Sequence, residues 1–425
     1  MRQSQGPRTH SREPLAACRA CDARVPRRQA PADYAQGVKV ELSLNFDSVD
    51  LVALRRRRSE KWTRHPADVL PAFVAELDFA PAHEIGEVLV DAIANGDLGY
   101  ANPSGSRLAE AFAGFAERRW DWRVDPEAVV AVPDVMVGVA ELLRLLTKPG
   151  AGVVITTPVY PPFFSVIAEV GRRVIEVPLL DGDRRERLPV QQIEAAFAEG
   201  AEALLLCNPH NPTGYVAGRE ELLALGEIVD RHDGVVLSDE IHAPLTLEAA
   251  SHVPFCALPA AAAEAAITLT SATKAWNLAG LKCGLAVARS PRMREALRSL
   301  PVDLHDRVGH LGVLASVAAF TRAEPWLDEL RAYLAETRRW FPGLLAERLP
   351  GVVFHPGQAT YLAWLDCRAL GLGADPAAHF LTKGRVALAP GSDFGTLGRG
   401  FVRLNLGTTR SLIEEAVGRM ASALA

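Results

Sequence analysis

Residues Ala266–Lys274 read AITLTSATK: five apolar or β-branched residues, then a small polar turn that ends in a lysine. The same grammar occurs three times upstream. Gly152–Tyr160 is GVVITTPVY, Ala203–Gly214 is ALLLCNPHNPTG, and Gly234–His242 is GVVLSDEIH. Each is an apolar run of strand length with no polar alternation, and each runs into a turn rich in Pro, Asn, Ser or Thr. A strand without alternation is buried on both faces, and the intervening stretches, such as GREELLALGEIVDRHDG, carry helical spacing. Together these predict a mostly parallel sheet covered by helices on both sides.

Working outward, VVAV (Val129–Val132), VIEVP (Val174–Pro178) and GLAVA (Gly284–Ala288) bring the number of strand-like runs to seven. AHEIGEVLVDAIANG reads as a helix stopping at Gly96, and Ser104 or Ser106 is the expected cap of a second helix ending near Trp120. Beyond Pro301 long helical patterns dominate, WLDELRAYLAETRRWFPGLL being the clearest. Strands follow near Thr360, Arg385 and Phe401, with a final helix from about Thr409. The expected organisation is α/β: a large domain over 86–300 with a seven-stranded, mostly parallel sheet, and a smaller α+β domain over 301–425. Residues 41–85 are expected to pack on the small domain, and 1–40 to form a flexible basic extension. At roughly 150 residues per domain, 425 residues accommodate this division.

Composition excludes several classes. Hydrophobic residues make up 49% of the chain and charged residues 23%, so it is neither disordered nor fibrous. The net charge of −5 offers no basic excess for nucleic acid. The most apolar stretch, Val253–Leu269, is broken by Pro254, Pro259 and Glu264, which excludes a spanning helix there. A soluble protein is expected, and, with no apolar signal core near the start, a cytoplasmic one. Cys207, Cys256, Cys283 and Cys367 lie in apolar runs and read as small buried hydrophobes. Cys18 and Cys21 lack a second ligand pair, so no metal site is expected. The run Arg55–Arg58 reads as the solvated end of an amphipathic segment beginning at Asp47, with Val49, Val52 and Ala53 inward.

In open α/β sheets ligands bind beyond the carboxyl ends of the strands. Those ends deliver Tyr160, Asn211, Asp239, Ser271 and Lys274. Any one of them has a dull explanation; an aromatic ring, an amide, a carboxylate and a lysine on one sheet edge fit pyridoxal phosphate. An ε-amine forms a Schiff base with its aldehyde and moves the α-proton, and a carboxylate keeps the pyridine nitrogen protonated. An amide donor suits the 3-oxygen, and an aromatic face stacks on the ring. For the phosphate, the turn Pro133–Asp134–Val135 opens a helix whose amides can bind it.

NPHNPTG, SDEIH and SATKAWNLAGLK resemble the fold-type I pyridoxal-phosphate enzymes of the class I/II aminotransferase superfamily. AELDFAP (Ala75–Pro81), LGYANPSG (Leu98–Gly105) and APGSDFG with GRGFVRLNLG (within Ala389–Gly407) are similar to the MalY/PatB group of cystathionine β-lyases. The resemblance covers about residues 45–425. It implies that Lys274 is the Schiff-base lysine, Asp239 the partner of the pyridine nitrogen, Asn211 the ligand of the 3-oxygen, Tyr160 the stacking ring and Ser271 a phosphate ligand. It further implies that Arg403 clamps the substrate α-carboxylate. Tyr100 is expected to reach into the neighbouring subunit's site of a homodimer. His242 stands where many aminotransferases carry a tyrosine, as it does in the C–S lyases. Asp134 is an unusual neighbour for a phosphate, and Lys282, where relatives vary, could supply compensating positive charge.

The activity implied is α,β-elimination on L-cystathionine or a cysteine S-conjugate, giving a thiol, pyruvate and ammonia. Two alternatives share the same residues. One is an aminotransferase, which returns the proton to the cofactor instead of expelling a Cβ substituent. The other is a cofactor-binding regulator with little turnover.

Overall fold

The computed structural model describes residues 46–105, 107–181, 186–248 and 250–425. The basic N-terminal stretch, with Cys18 and Cys21, and the candidate cap Ser106 lie outside the described residues. The seven apolar runs all form strands of one sheet: β1 (Val129–Val132), β2 (Gly152–Thr157), β3 (Arg173–Pro178), β4 (Ala201–Cys207), β5 (Val235–Asp239), β6 (Ala266–Thr270) and β7 (Gly284–Ala288). Their spatial order is β1-β7-β6-β5-β4-β2-β3. Pairings are parallel except at β7, which runs antiparallel to both β1 and β6.

The absence of alternation in these runs is explained by burial on both faces. Val153 and Ile155 of β2, with Ala203 and Leu205 of β4, join one core cluster, whereas Val154, Leu204 and Leu206 join another. Helices α1 (His83–Ala94), α2 (Leu108–Trp120), α3 (Val135–Leu146), α4 (Pro162–Glu169), α5 (Val190–Ala198) and α6 (Arg219–Arg231) alternate with the strands or precede them. Phe112 and Phe115 of α2 and Leu222 and Leu225 of α6 belong to the second cluster; Val139 and Leu142 of α3 and Phe163 of α4 belong to the first.

After β7 come α7 (Pro291–Arg298), α8 (His310–Arg322) and the 25-residue α9 (Glu324–Arg348). A second sheet follows, made of β8 (Val353–Phe354), β9 (Leu362–Asp366), β10 (Ala389–Pro390) and β11 (Phe401–Asn405), in the order β8-β9-β11-β10. Its core is a third cluster, including Leu365, Phe380, Val402 and Met420. The last helix begins at Arg410, with the Thr409 hydroxyl accepting from the Leu412 N–H as its cap. No described helix is long and apolar enough to cross a membrane.

Three local expectations are corrected. Helix α2 is preceded by Arg107 in the left-handed region, with no side-chain cap, so Ser104 does not cap it. In the Asp47 segment only Leu51–Leu54 is α-helical; Leu54 is buried at 1% while Val52 is 61% exposed. One turn of helix is too short for the expected face to be set by periodicity. Nor is the arginine run simply solvated: the Arg57 guanidinium donates to the carbonyls of Leu77, Asp78 and Phe79.

Candidate active site

The carboxyl ends of β2, β4, β5 and β6 share one edge of the sheet. Register puts Cys207 opposite Asp239 and Asp239 opposite Leu269, so Asn211, Asp239 and Lys274 leave neighbouring strands at similar height. The reversed strand β7 begins at this edge, with Gly284 opposite Val132. Its entrance therefore lies beside the turn that opens α3. A Cβ on Gly284 would come within 3.2 Å of the Val135 nitrogen, so a side chain there would crowd the turn.

A cavity of about 190 Å³ occupies this edge. Tyr160, Asn211, Asp239, His242, Ser271, Lys274, Val135 and Lys282 line it, together with Ala75, Asp134, Cys207 and Thr273. Arg403 is not on the wall but donates from Nη1 to Asn211 Oδ1 at 3.0 Å, and from Nη2 to the Phe73 carbonyl at 2.8 Å. Tyr100 is not gathered into this chain's cavity and is 89% exposed.

Asp239 is buried, and its Oδ1 accepts the Ile241 N–H at 3.1 Å. No donor among the described residues serves its second oxygen. Burial pushes the carboxyl up to about 7, the neighbouring Glu240 adding to the effect. The Lys274 amine donates to the Ala75 carbonyl at 3.1 Å. Burial, reinforced by the Arg403 charge, lowers it to about 8. Among the described residues neither group has an ion-pair partner. His242 is buried and held neutral, pushed down to about 3 by burial and by the Lys274 and Arg403 charges, and its Nδ1 has no partner among the described residues. Burial also lowers Arg403 to about 10 and raises the Tyr160 phenol.

At the other end of the cavity the Asp134 side chain has two tasks. Its Oδ1 caps α3 by accepting the Val137 N–H at 2.9 Å, and its Oδ2 pairs with Lys282 Nζ at 3.2 Å. The N–H groups of Val135 and Met136, which line the cavity, have no acceptor among the described residues. Ser271 donates its hydroxyl proton to the Cys283 carbonyl at 2.6 Å and accepts the Thr273 N–H at 3.1 Å, so in this arrangement its proton is turned away from the cavity.

These features fit a flat, phosphorylated, cationic heterocycle bearing an aldehyde. Free helix N-terminal amides beside a lysine can take a phosphate. A buried carboxyl with an open oxygen can take a ring N–H⁺, and a depressed amine can condense with a carbonyl. Three contributors escaped the sequence reading. The Ala75 carbonyl holds Lys274, Tyr361 Oη donates to that same carbonyl at 3.0 Å, and Asn277 pairs with both backbone groups of Leu77. The segments AELDFAP and SATKAWN flagged the region without revealing the contacts.

Residues 75–420 match the model of the family described as aminotransferase class I and II, and the chain belongs to that family. A cystathionine beta-lyase of Corynebacterium glutamicum is 37% identical, over 88% of this chain and 99% of the relative. Cystathionine beta-lyase PatB of Bacillus subtilis is 34% identical, over 84% and 93%. Cystalysin of Treponema denticola, whose crystal structure contains pyridoxal 5′-phosphate, superposes with a TM-score of 0.82 at 28% identity, covering 90% of this chain and 99% of its own. The architecture is that of the fold-type I pyridoxal-phosphate enzymes.

Proposed function

We propose that this protein is a pyridoxal-phosphate-dependent carbon–sulfur β-lyase acting on L-cystathionine or a related cysteine S-conjugate. The observation that carries the reading is the pair of oppositely ionisable groups, buried Asp239 and half-buried Lys274, that face one cavity with no ion-pair partner among the described residues. Buried charges are normally paired, so an open pair points to a ligand that completes both. Names of the relatives favour a lyase over a transaminase.

Bound pyridoxal phosphate supplies an aldehyde that condenses with amines and an electron-accepting pyridinium ring. Lys274 is the residue to carry it, with Asp239 meeting the ring nitrogen, Asn211 the 3-oxygen, Tyr160 one ring face, and the Val135 and Met136 amides with Lys282 the phosphate. Arg403 binds the substrate α-carboxylate, a task that suits a guanidinium already oriented by Asn211 and Phe73. The ε-amine of Lys274 would be the base that removes the proton from Cα of the bound amino acid. In the cofactor-free chain this amine sits near 8 and is partly unprotonated near neutrality, as a base for this work needs to be. The Cβ–S bond then breaks, the sulfur leaving with the bonding pair as a thiolate that is protonated to the thiol. One water converts the remaining three-carbon unit to pyruvate and ammonia. His242 is held neutral, so it can accept or donate a hydrogen bond beside the ring without adding a charge. The same reading includes a homodimer whose Tyr100 completes the partner's site.

The test is to supply L-cystathionine to the cofactor-loaded protein with no keto acid present. Pyruvate should accumulate with thiol in equal amounts, and Lys274→Ala should abolish it. Product formation only when a keto acid is added would instead establish transamination.

A further inference from the structure

Residues 73–79, FVAELDF, form no helix or strand, yet their backbone is held closely. Side chains take the place of a sheet partner. Arg403 donates to the Phe73 carbonyl, Asn405 Nδ2 to those of Val74 and Glu76 at 2.7 and 2.6 Å, and Arg57 to those of Leu77, Asp78 and Phe79. The Asp78 carboxylate is anchored in turn by buried Lys61 at 2.8 Å and by Trp62 Nε1 at 3.2 Å. The purpose of holding an irregular segment so firmly shows at Ala75, whose carbonyl receives both Lys274 Nζ and Tyr361 Oη.

Asn405 brackets this carbonyl from either side, and Asn277 is the clamp that ties the segment to the lysine loop itself. It lies three residues after Lys274, and its amide binds Leu77, two residues after Ala75, through both backbone groups: Oδ1 accepts the N–H at 2.9 Å and Nδ2 donates to the carbonyl at 2.8 Å. Its own φ is +59°, a conformation that asparagine and glycine tolerate best. The lysine loop and the segment bearing its acceptor are thus riveted together beside the amine. We infer that Asn277 is a positioning residue for Lys274: by fixing Leu77 it holds the Ala75 carbonyl at the ε-amine, and so sets where that amine docks and how readily it keeps its proton.

The inference rests on Lys274 being the proton-carrying amine. The acceptor favours the ammonium form, because hydrogen bonding to a charged form stabilises that form. The ionisable groups acting on Nζ are Arg403, Glu76, Asp239 and Lys282, with His242 also in its field, and the Asn277 amide hydrogen-bonds to none of them. Asn277→Gly deletes the amide while accepting a positive φ without strain, which separates the clamp from the backbone conformation. Tyr361→Phe acts on the same carbonyl in the opposite sense, since it removes the competing donor.

The experiment uses the full chain stripped of cofactor. Carbamylation of Lys274 by cyanate is followed against pH by peptide mass spectrometry, and the midpoint reports the amine. In Asn277→Gly the midpoint falls by about one pH unit, and in Tyr361→Phe it rises by a smaller amount. After reloading with cofactor, Asn277→Gly loses about tenfold in kcat with KM nearly unchanged, as for a group that acts only after substrate is bound. An unmoved midpoint in folded Asn277→Gly overturns the inference; should that variant not fold, an unmoved midpoint in Tyr361→Phe does so. Failure of the functional reading looks different, because Lys274 in the unaltered chain then carries no cofactor while its cyanate titration can still be read.

Discussion

At one end of the cavity Asp134 and Lys282 form an ion pair at 3.2 Å, with side chains 34% and 59% exposed. At the other, buried Asp239 and half-buried Lys274 face the same space and make no ion pair with each other or with any described residue. Both ends hold one acid and one lysine, yet water solvates the first pair, while Asp239 is shut away from it and Lys274 is half so. A solvated pair is nearly indifferent to what arrives. The desolvated pair is costly until a ligand supplies the missing charges. On the proposed reading, chemistry falls to the uncompensated groups and anchorage to the compensated ones.

The sharpest way to break this contrast is Asp239→Asn, which keeps shape and removes the charge. It is expected to lower kcat/KM by roughly 10²–10³-fold, the scale of deleting one pre-placed electrostatic partner. Steady-state kinetics on cystathionine check it; activity within a few-fold of the unaltered enzyme refutes the assignment of Asp239. Next in size is a pH effect on the cofactor-free chain. Asp239 sits near 7 when folded against an ordinary 3.8, so the folded chain holds this proton more tightly than the unfolded chain. Its contribution to stability is complete below about pH 4 and is lost as pH rises to about 7. His242, lowered to about 3, works in the opposite sense between about 3 and 6.5. The informative quantity is therefore the difference in Tm between the unaltered chain and Asp239→Asn. The variant should gain relative to the unaltered chain by a few degrees between pH 4 and 7, and bound cofactor should flatten that trend.

The phosphate end should answer more weakly. Lys282→Gln is expected to loosen cofactor retention about threefold, an effect that shrinks in high salt. Asp134→Asn keeps the cap on α3, because asparagine caps as well as aspartate, and removes a negative charge near the phosphate. Retention should tighten about twofold. Equilibrium dialysis of the two variants against cofactor measures both, and a loss of tenfold or more in either would make this end as decisive as the other.

The contrast also marks what a linear reading can reach. All seven sheet strands were legible, because burial on both faces leaves an apolar run that needs no partner to be recognised. Tyr160, Asn211, Asp239 and Lys274 were legible for the same reason, being fixed by their places at strand ends. The reversal of β7 was not, since an antiparallel strand buried on both faces has the same composition as a parallel one. That reversal is what brings Lys282 to Asp134. The clamps on residues 73–79 were hidden too. They join Arg57, Asn277 and Asn405 to backbone groups through folded contacts between distant parts of the chain, and an arginine that will bind three carbonyls looks in sequence like a solvated charge. Tyr361 precedes β9, whose register with β11 sets Leu362 opposite Asn405, and no local pattern announces that pairing.

The central claim is that the Lys274 amine is the covalent seat of pyridoxal phosphate. Borohydride reduction of the cofactor-loaded protein, followed by digestion and mass spectrometry, tests it most directly. The account predicts a single pyridoxyl-modified peptide with the added mass on Lys274; an unmodified Lys274, or the mass on another lysine, would contradict it.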